Sequence, residues 1–269
     1  MALGEAVLAF ADVQSGTLYD MHELCIGIAI CLLCLVFVDS TSLRSHPINR
    51  RNCFYFDLYG NGNALNHYMV QRVCEKIILN DDHVGDQKLT ELLRSISTST
   101  SMRELYIYKD AFTGNSMVSL GKELSTPASP LRVLSLVKCN INDNAMKILA
   151  DNLHLSEKSK LQQFIADDNF LGPKGLTYLY DAISKSKTKI HLSSIYLHKN
   201  RMNDQAIPII GKLFHRAQKS IRSLDVTNNG ITPIGSDKLK IIIQKEKNLK
   251  LGIDAKGSSI SEILKPKIR

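Results

Sequence analysis

Residues 131–153 read LRVLSLVKCNINDNAMKILADNL, and a strand pattern at the start gives way to a helix pattern. Up to Leu136 the apolar residues lie two and three positions apart, and a period of two is typical of a strand with one buried face. From Ile141 onward they lie three or four apart, as on one face of a helix, at Ala145, Ile148, Leu149 and Leu153. The segment therefore predicts a short strand, a turn at CNIND and a helix.

The same pattern recurs along the chain at a nearly constant spacing. Its form is apolar-x-x-apolar-x-apolar-x-x-Asn-x-apolar, and it fits segments that begin at Met102, Leu131, Leu161, Leu192 and Ile221, with a weaker copy at Cys74. The turn position steps by 28, 29, 30, 31 and 29 residues through Asp82, Asp110, Cys139, Asn169, Asn200 and Asn229. A unit of this size cannot bury its own strand and helix, so we expect neighbouring units to stack.

Polar residues around the turn fit this unit. An Asn after the strand can bond backbone groups through its amide and hold a tight turn, and a small Cys can take the same position. Asp143 and Asp204 lie where an N-cap or first-turn acid favours the start of a helix. Pro173 and Pro233 lie at the equivalent place in other units, where proline is tolerated at a helix start.

The repeated motif resembles the leucine-rich repeat. A step of about 29 residues with a whole helix in each unit is similar to the ribonuclease-inhibitor-type subclass, as in NOD-like receptors and the Ran GTPase-activating protein. The resemblance covers roughly Cys74 to Leu251. It implies an α/β solenoid, a horseshoe-shaped arc with parallel strands on the concave face and helices on the convex face, and its usual role is protein binding.

The chain divides into three parts by this pattern. Residues 1–50 form an N-terminal segment with an apolar run, residues 51–251 form the repeat domain with regular repeats from about 74, and residues 252–269 form a basic C-terminal cap or tail. CFYFDLYGNGN, from Cys53, also matches the motif, but only 21 residues separate Cys53 from Cys74. Either a short first repeat lies there, or residues 65–78 form one helix and the copy at Cys74 is spurious.

The apolar run at residues 24–38 has three interpretations. It contains 15 residues without a charge, whereas a spanning helix needs roughly 20. It fits a signal anchor that would attach the chain to a membrane, a cleaved leader, or a buried helix that caps the core. Periodicity alone does not separate these interpretations.

Composition and charge are those of a globular protein. Of the 269 residues, 44% are hydrophobic and 22% are charged. Residues 1–43 carry five acids and no Lys or Arg, so the remainder must carry +13 to give the net charge of +8. The six cysteines show neither a disulfide framework nor the spacing of a metal site, and we expect a reducing, cytoplasmic compartment.

Signatures of chemistry are missing from the sequence. It contains no phosphate-binding G-x-x-x-x-G-K-[ST], no H-E-x-x-H and no G-x-S-x-G. The eight His residues show no i, i+4 pair of the kind that holds zinc. We therefore predict no catalytic residue, no cofactor and no metal.

A candidate binding surface remains at the strand positions that point away from the core. It forms three rows across the concave face, and Tyr is a residue type that commonly anchors protein interfaces. The rows are Tyr106, Ser135, Ile165, Tyr196 and Asp225; Tyr108, Val137, Asp167, His198 and Thr227; and Lys109, Lys138, Asp168, Lys199 and Asn228.

These observations favour a monomeric, non-enzymatic module that binds a protein partner on the concave face. A first alternative, by analogy with the Ran GTPase-activating protein, is a regulator of a small GTPase. A second is an electrostatic binder of nucleic acid or a membrane surface. The basic residues are interspersed with acids, which argues against nucleic acid.

Overall fold

A computed structural model describes residues 52–60, 64–186, 188–217, 221–244 and 250–252. All described residues belong to one compact unit, residues 50–269. The apolar run at 24–38 and the basic tail beyond Gly252 lie outside the described residues. Within the described ranges, no helix is both long and apolar enough to cross a membrane.

Strands and helices alternate along the described chain. The strands are β1 (Asn52–Phe54), β2 (Lys76–Asn80), β3 (Glu104–Tyr108), β4 (Val133–Val137), β5 (Gln163–Ile165), β6 (Ser194–Tyr196), β7 (Ser223–Asp225) and β8 (Lys250–Gly252). The α-helices are α1 (Tyr55–Tyr59), α2 (Gly85–Ser97), α3 (Gly114–Ser125), α4 (Asp143–Asp151), α5 (Pro173–Ser184), α6 (Ile207–Ala217) and α7 (Pro233–Gln244). A π-helical turn at Met69–Val73 precedes β2, and a 3₁₀ turn at Asp204–Ala206 precedes α6.

The strands form one parallel sheet in chain order, β1 to β8. Each unit lies beside the next, because a strand followed by a helical crossover returns parallel to its predecessor. Pairing places Leu105 opposite Leu134 and Leu134 opposite Phe164. The predicted α/β solenoid, with strands on one side and helices on the other, is therefore confirmed.

The core lies between the sheet and the helices. Two rows of strand side chains point into it, and both rows are buried: Ile77, Leu105, Leu134, Phe164, Ile195 and Leu224; and Leu79, Ile107, Leu136, Ala166, Leu197 and Val226. Each helix contributes an apolar stripe to the same core, such as Leu176, Leu179 and Ile183 of α5. A continuous interior of this kind replaces the separate cores that single units are too small to build.

The Asn residues at the turn position bind the preceding unit. Asn169 donates to Leu136 O at 2.7 Å and accepts from Cys139 N and Ile141 N, each at 3.0 Å. Asn229 is also buried and donates to Leu197 O at 2.9 Å. The asparagines therefore bond backbone groups as predicted, and stacked one repeat above the next they form an Asn ladder that satisfies buried groups otherwise without a partner.

A second ladder joins the helices, and the sequence pattern did not reveal it. Asn142 and Asn203 are the N-caps that bind their own helical turns. The neighbouring Asp143 instead accepts from Gly172 N and Gly175 N at the start of α5, at 2.7 and 2.9 Å. Asp204 likewise accepts from Thr232 N at 2.8 Å. These carboxylates therefore cap the next helix along the solenoid.

A short first repeat is present, and it corrects the predicted alignment at Cys53. Cys53 pairs with Ile77 in the sheet, so Cys53 occupies the fourth position of the motif and not the first. This shift brings it beside Cys74, with a Cα–Cα distance of 5.7 Å, and the two cysteines form a disulfide. The prediction of no disulfide was wrong here, because a solenoid brings residues about one repeat apart into contact.

Candidate functional site

The candidate surface lies on the side of the sheet opposite the helices. Strand pairing places Tyr106 beside Ser135, Ile165 beside Tyr196, and Tyr196 beside Asp225. We call this surface the inner wall and define it by two rows: Phe54, Ile78, Tyr106, Ser135, Ile165, Tyr196 and Asp225; and Tyr108, Val137, Asp167, His198 and Thr227. The predicted neighbours in the first row are therefore neighbours in the fold.

Two members of the inner wall were missed by the sequence analysis. Ile78 pairs with Tyr106 on one side and with Phe54 on the other, which extends the apolar row to the first strand. Phe54 is 52% exposed. The copy of the motif at Cys74 places Ile78 at an outward-facing strand position, so the sequence could have predicted it. Phe54 could not be placed in the same way, because the motif had been aligned three residues out of register at Cys53.

Ser135 is the exception among the predicted surface residues. Its side chain is only 1% exposed, so it is buried and offers no contact area to a partner. Burial raises the pKa of the Tyr108 phenol, and the nearby Ser135 hydroxyl opposes that shift. Ser135 therefore lies beneath the exposed side chains of the wall.

An aromatic patch occupies the first half of the wall. The rings of Tyr106 and Tyr108 are nearly parallel, with centroids 6.4 Å apart. The Lys76 ammonium lies 4.2 Å from the centroid of the Tyr106 ring, a distance typical of a cation–π interaction. Lys76 also pairs with Glu104 at 3.7 Å. These contacts hold the two tyrosines in defined positions, which lowers the entropy lost when a partner binds.

Polar residues dominate the second half of the wall. Asp167 accepts a hydrogen bond from His198 N at 2.8 Å, and His198 Nδ1 lies 2.7 Å from Thr227 Oγ1. Thr227 N in turn donates to Asp225 at 2.8 Å. Burial raises the pKa of Asp167 to about 6, and the nearby charge of Asp225 acts in the same direction.

The third predicted row lies in the turns at the edge of the wall. Lys109, Lys138, Asp168, Lys199 and Asn228 all have φ between 53° and 58°, a left-handed conformation that is uncommon for residues other than glycine. Asp168 pairs with Lys199 at 2.8 Å and with Lys138 at 3.6 Å. The hydrogen bond from Lys199 and the two positive charges lower the pKa of Asp168. These turns therefore form a cross-linked rim beside the wall.

The described ranges contain no cluster of side chains that could bind a metal ion. No three His, Cys, Asp or Glu side chains come together there as a metal site requires. Cys139, which occupies an Asn position, is buried, and burial raises the pKa of its thiol to about 12. The thiol is therefore a poor nucleophile, and we assign it a packing role.

Comparison with known proteins gives three relatives. The chain is 29% identical over 122 residues to NLR family CARD domain-containing protein 4 of Rattus norvegicus, which covers 45% of this chain and 12% of that protein. The protein of the same description from Mus musculus is 27% identical over 123 residues. The match to NACHT, LRR and PYD domains-containing protein 3 of Homo sapiens is 22% identical over 202 residues, 65% of this chain and 19% of that protein.

These similarities cover only part of each relative. The aligned regions span between 12% and 19% of the length of the three curated proteins. No protein-family model matches the chain.

Proposed function

We propose that this leucine-rich-repeat-like solenoid acts as a non-catalytic interaction module that holds a protein partner on the inner wall. One observation carries this proposal. Aromatic and aliphatic side chains stand in one row at Phe54, Ile78 and Tyr106 on β1 to β3, and the row resumes at Ile165 and Tyr196 on β5 and β6, after the buried Ser135 of β4. Side chains of this kind offer rigid contact area. The similarity to a protein that is named for its LRR domains supports an interaction role.

The rim argues against the electrostatic alternative. Lys138 and Lys199 both contact one carboxylate, that of Asp168, so part of the positive charge of this edge is neutralised. A binder of nucleic acid or anionic membranes needs unpaired cations along its surface. Regulation of a small GTPase stays a prediction, and GTP hydrolysis measured with a panel of small GTPases tests it.

The experiment for the wall compares matched tyrosine variants. The full chain, its Tyr106→Ala/Tyr196→Ala variant and a Tyr180→Ala control are used to capture proteins from the source cells, with identification by mass spectrometry. Tyr180 suits the control because it is half-buried like the wall tyrosines but lies on α5, on the helix side. We expect the wall variant to lose the captured partner and the control to keep it. The reverse pattern would place the partner on the helices.

The compartment is a separate question, and the disulfide bears on it. We propose a cytoplasmic location, as the cysteine spacing indicated, but the Cys53–Cys74 disulfide is of a kind that persists in oxidising compartments. Differential alkylation of the cysteines in intact cells, followed by mass spectrometry, decides between these. The pair recovered as two thiols supports the cytoplasm, and the pair recovered as a disulfide refutes that location.

A further inference from the structure

The second half of the inner wall carries two carboxylates, those of Asp167 and Asp225. In the described part of the chain, no Lys or Arg lies within 4.0 Å of Asp167 or Asp225 as an ion-pair partner. Asp168, next in the chain, contrasts with them because two lysines neutralise it. Lys138 and Lys199 are thus engaged with Asp168 at the rim and form no ion pair with the two wall carboxylates.

Hydrogen bonds hold both carboxylates in place. Asp167 Oδ1 accepts from His198 N, and Asp225 Oδ1 accepts from Thr227 N, each at 2.8 Å. The contact between His198 Nδ1 and Thr227 Oγ1 links the two bonds into one chain across three repeats. One oxygen of each carboxylate is therefore held by the backbone, and a positioned carboxylate binds a cation with less loss of side-chain entropy than a free one.

Apolar side chains stand directly beside these charges. Ile165 pairs with Tyr196, and Tyr196 pairs with Asp225, so one row passes from an aliphatic residue through an aromatic ring to an acid. Asp167 lies two residues beyond Ile165 on the same face of the chain. A tyrosine ring next to a carboxylate favours cations on two grounds, because the ring face and the carboxylate both attract positive charge.

We propose that the inner wall takes a basic segment of its protein partner, with a Lys or Arg side chain between Asp167 and Asp225 and an apolar residue against Ile165 and Tyr196. This inference rests on the proposed function, because it assigns the chemistry of a partner to the same surface. Charge complementarity selects this occupant: an acidic segment would place a third negative charge beside two fixed ones. Such like-charge contacts weaken binding and exclude wrong partners.

A library of random dodecapeptides displayed on phage tests whether the inner wall prefers basic segments, and it requires no known partner. The full chain is immobilised, enriched peptides are sequenced, and their dissociation constants are measured by fluorescence anisotropy with synthetic copies. We expect enrichment of Lys or Arg within two positions of an apolar residue. The Asp167→Asn/Asp225→Asn variant should bind these peptides about tenfold more weakly, because isosteric amides remove the charge and keep the shape.

The control variant removes the same charge from the helix side. Asp181 and Asp237 are exposed on α5 and α7, and their double change to Asn should leave peptide affinity within about twofold. Circular dichroism and urea midpoints confirm that each variant is folded.

The remaining outcomes separate the two proposals. Some peptides could lose binding to the Tyr106→Ala/Tyr196→Ala variant and yet be acidic, or bind the Asp167→Asn/Asp225→Asn variant as well as wild type. Such peptides would overturn the proposal of a basic partner, while the inner wall would stand as the binding site. Peptides indifferent to both the tyrosine and the aspartate changes overturn both proposals. A library without enriched peptides overturns the basic partner as well, since the proposed contacts need only a short segment.

Discussion

Replacing Asn169 by alanine should destabilise the repeat domain more than any exposed asparagine change. The Asn169 side chain is 4% exposed. It serves the buried groups Leu136 O, Cys139 N and Ile141 N through bonds of 2.7, 3.0 and 3.0 Å. Asp167 O, a further acceptor of the amide, keeps its bond from Lys138 N and is not orphaned.

The size of the loss follows from the number of orphaned groups. A typical internal hydrogen bond contributes about 1 kcal/mol net, so three orphaned backbone groups amount to about 3 kcal/mol. Asn169→Cys should lose less, because Cys139 occupies the same position one repeat earlier and donates to Ile107 O and Val137 O. Asn144→Ala is the matched control: Asn144 is exposed on α4, and its change should stay within about 0.5 kcal/mol.

Urea unfolding followed by far-UV circular dichroism measures these differences. The free energy of unfolding is taken from the midpoint and the slope, and the slope also reports whether the repeats still unfold together. We expect the order wild type and Asn144→Ala, then Asn169→Cys, then Asn169→Ala. An Asn169→Ala protein within about 1 kcal/mol of wild type, with an unchanged slope, would refute the view that the Asn ladder stabilises the stack.

Three further perturbations test other contacts. Gly175→Ala would place a Cβ atom 2.6 Å from Asp143 Oδ1, so we expect a loss of about 1–3 kcal/mol in urea unfolding; full stability would contradict the cross-helix cap. The pKa of Asp167 rises from 3.8 to about 6 on folding, so the native state binds more protons and stability should fall as pH rises from 4 to 6. Asp167→Asn should reduce the dependence of the unfolding free energy on pH in this range. An unchanged dependence would mean that other titrating groups cause it. Cys53→Ser/Cys74→Ser should lower the free energy of unfolding by about 3 kcal/mol under oxidising conditions. Dithiothreitol should lower the stability of wild type by a similar amount and leave the variant unchanged. An equal effect of dithiothreitol on both proteins would contradict a stabilising disulfide.

The strand positions of the site followed from the sequence, whereas their accessibility did not. The motif placed Tyr106, Ile165 and Tyr196 in one row, and strand pairing has them there. The same pattern treated Ser135 as a surface residue, but Ser135 is buried. Accessibility depends on the size of neighbouring side chains from other repeats, which a pattern of apolar and polar positions does not record.

The sequence by itself determined the repeating strand, turn and helix, because that pattern is local and recurs at steps of 28 to 31 residues. Only the tertiary structure decided which residues meet across repeats. It paired Cys53 with Cys74, directed Asp143 to the next helix, and left Asp167 uncompensated while Asp168 is shared by two lysines. The physical reason is register: a shift of a few residues leaves the local pattern recognisable, but it changes every contact between residues about one repeat apart.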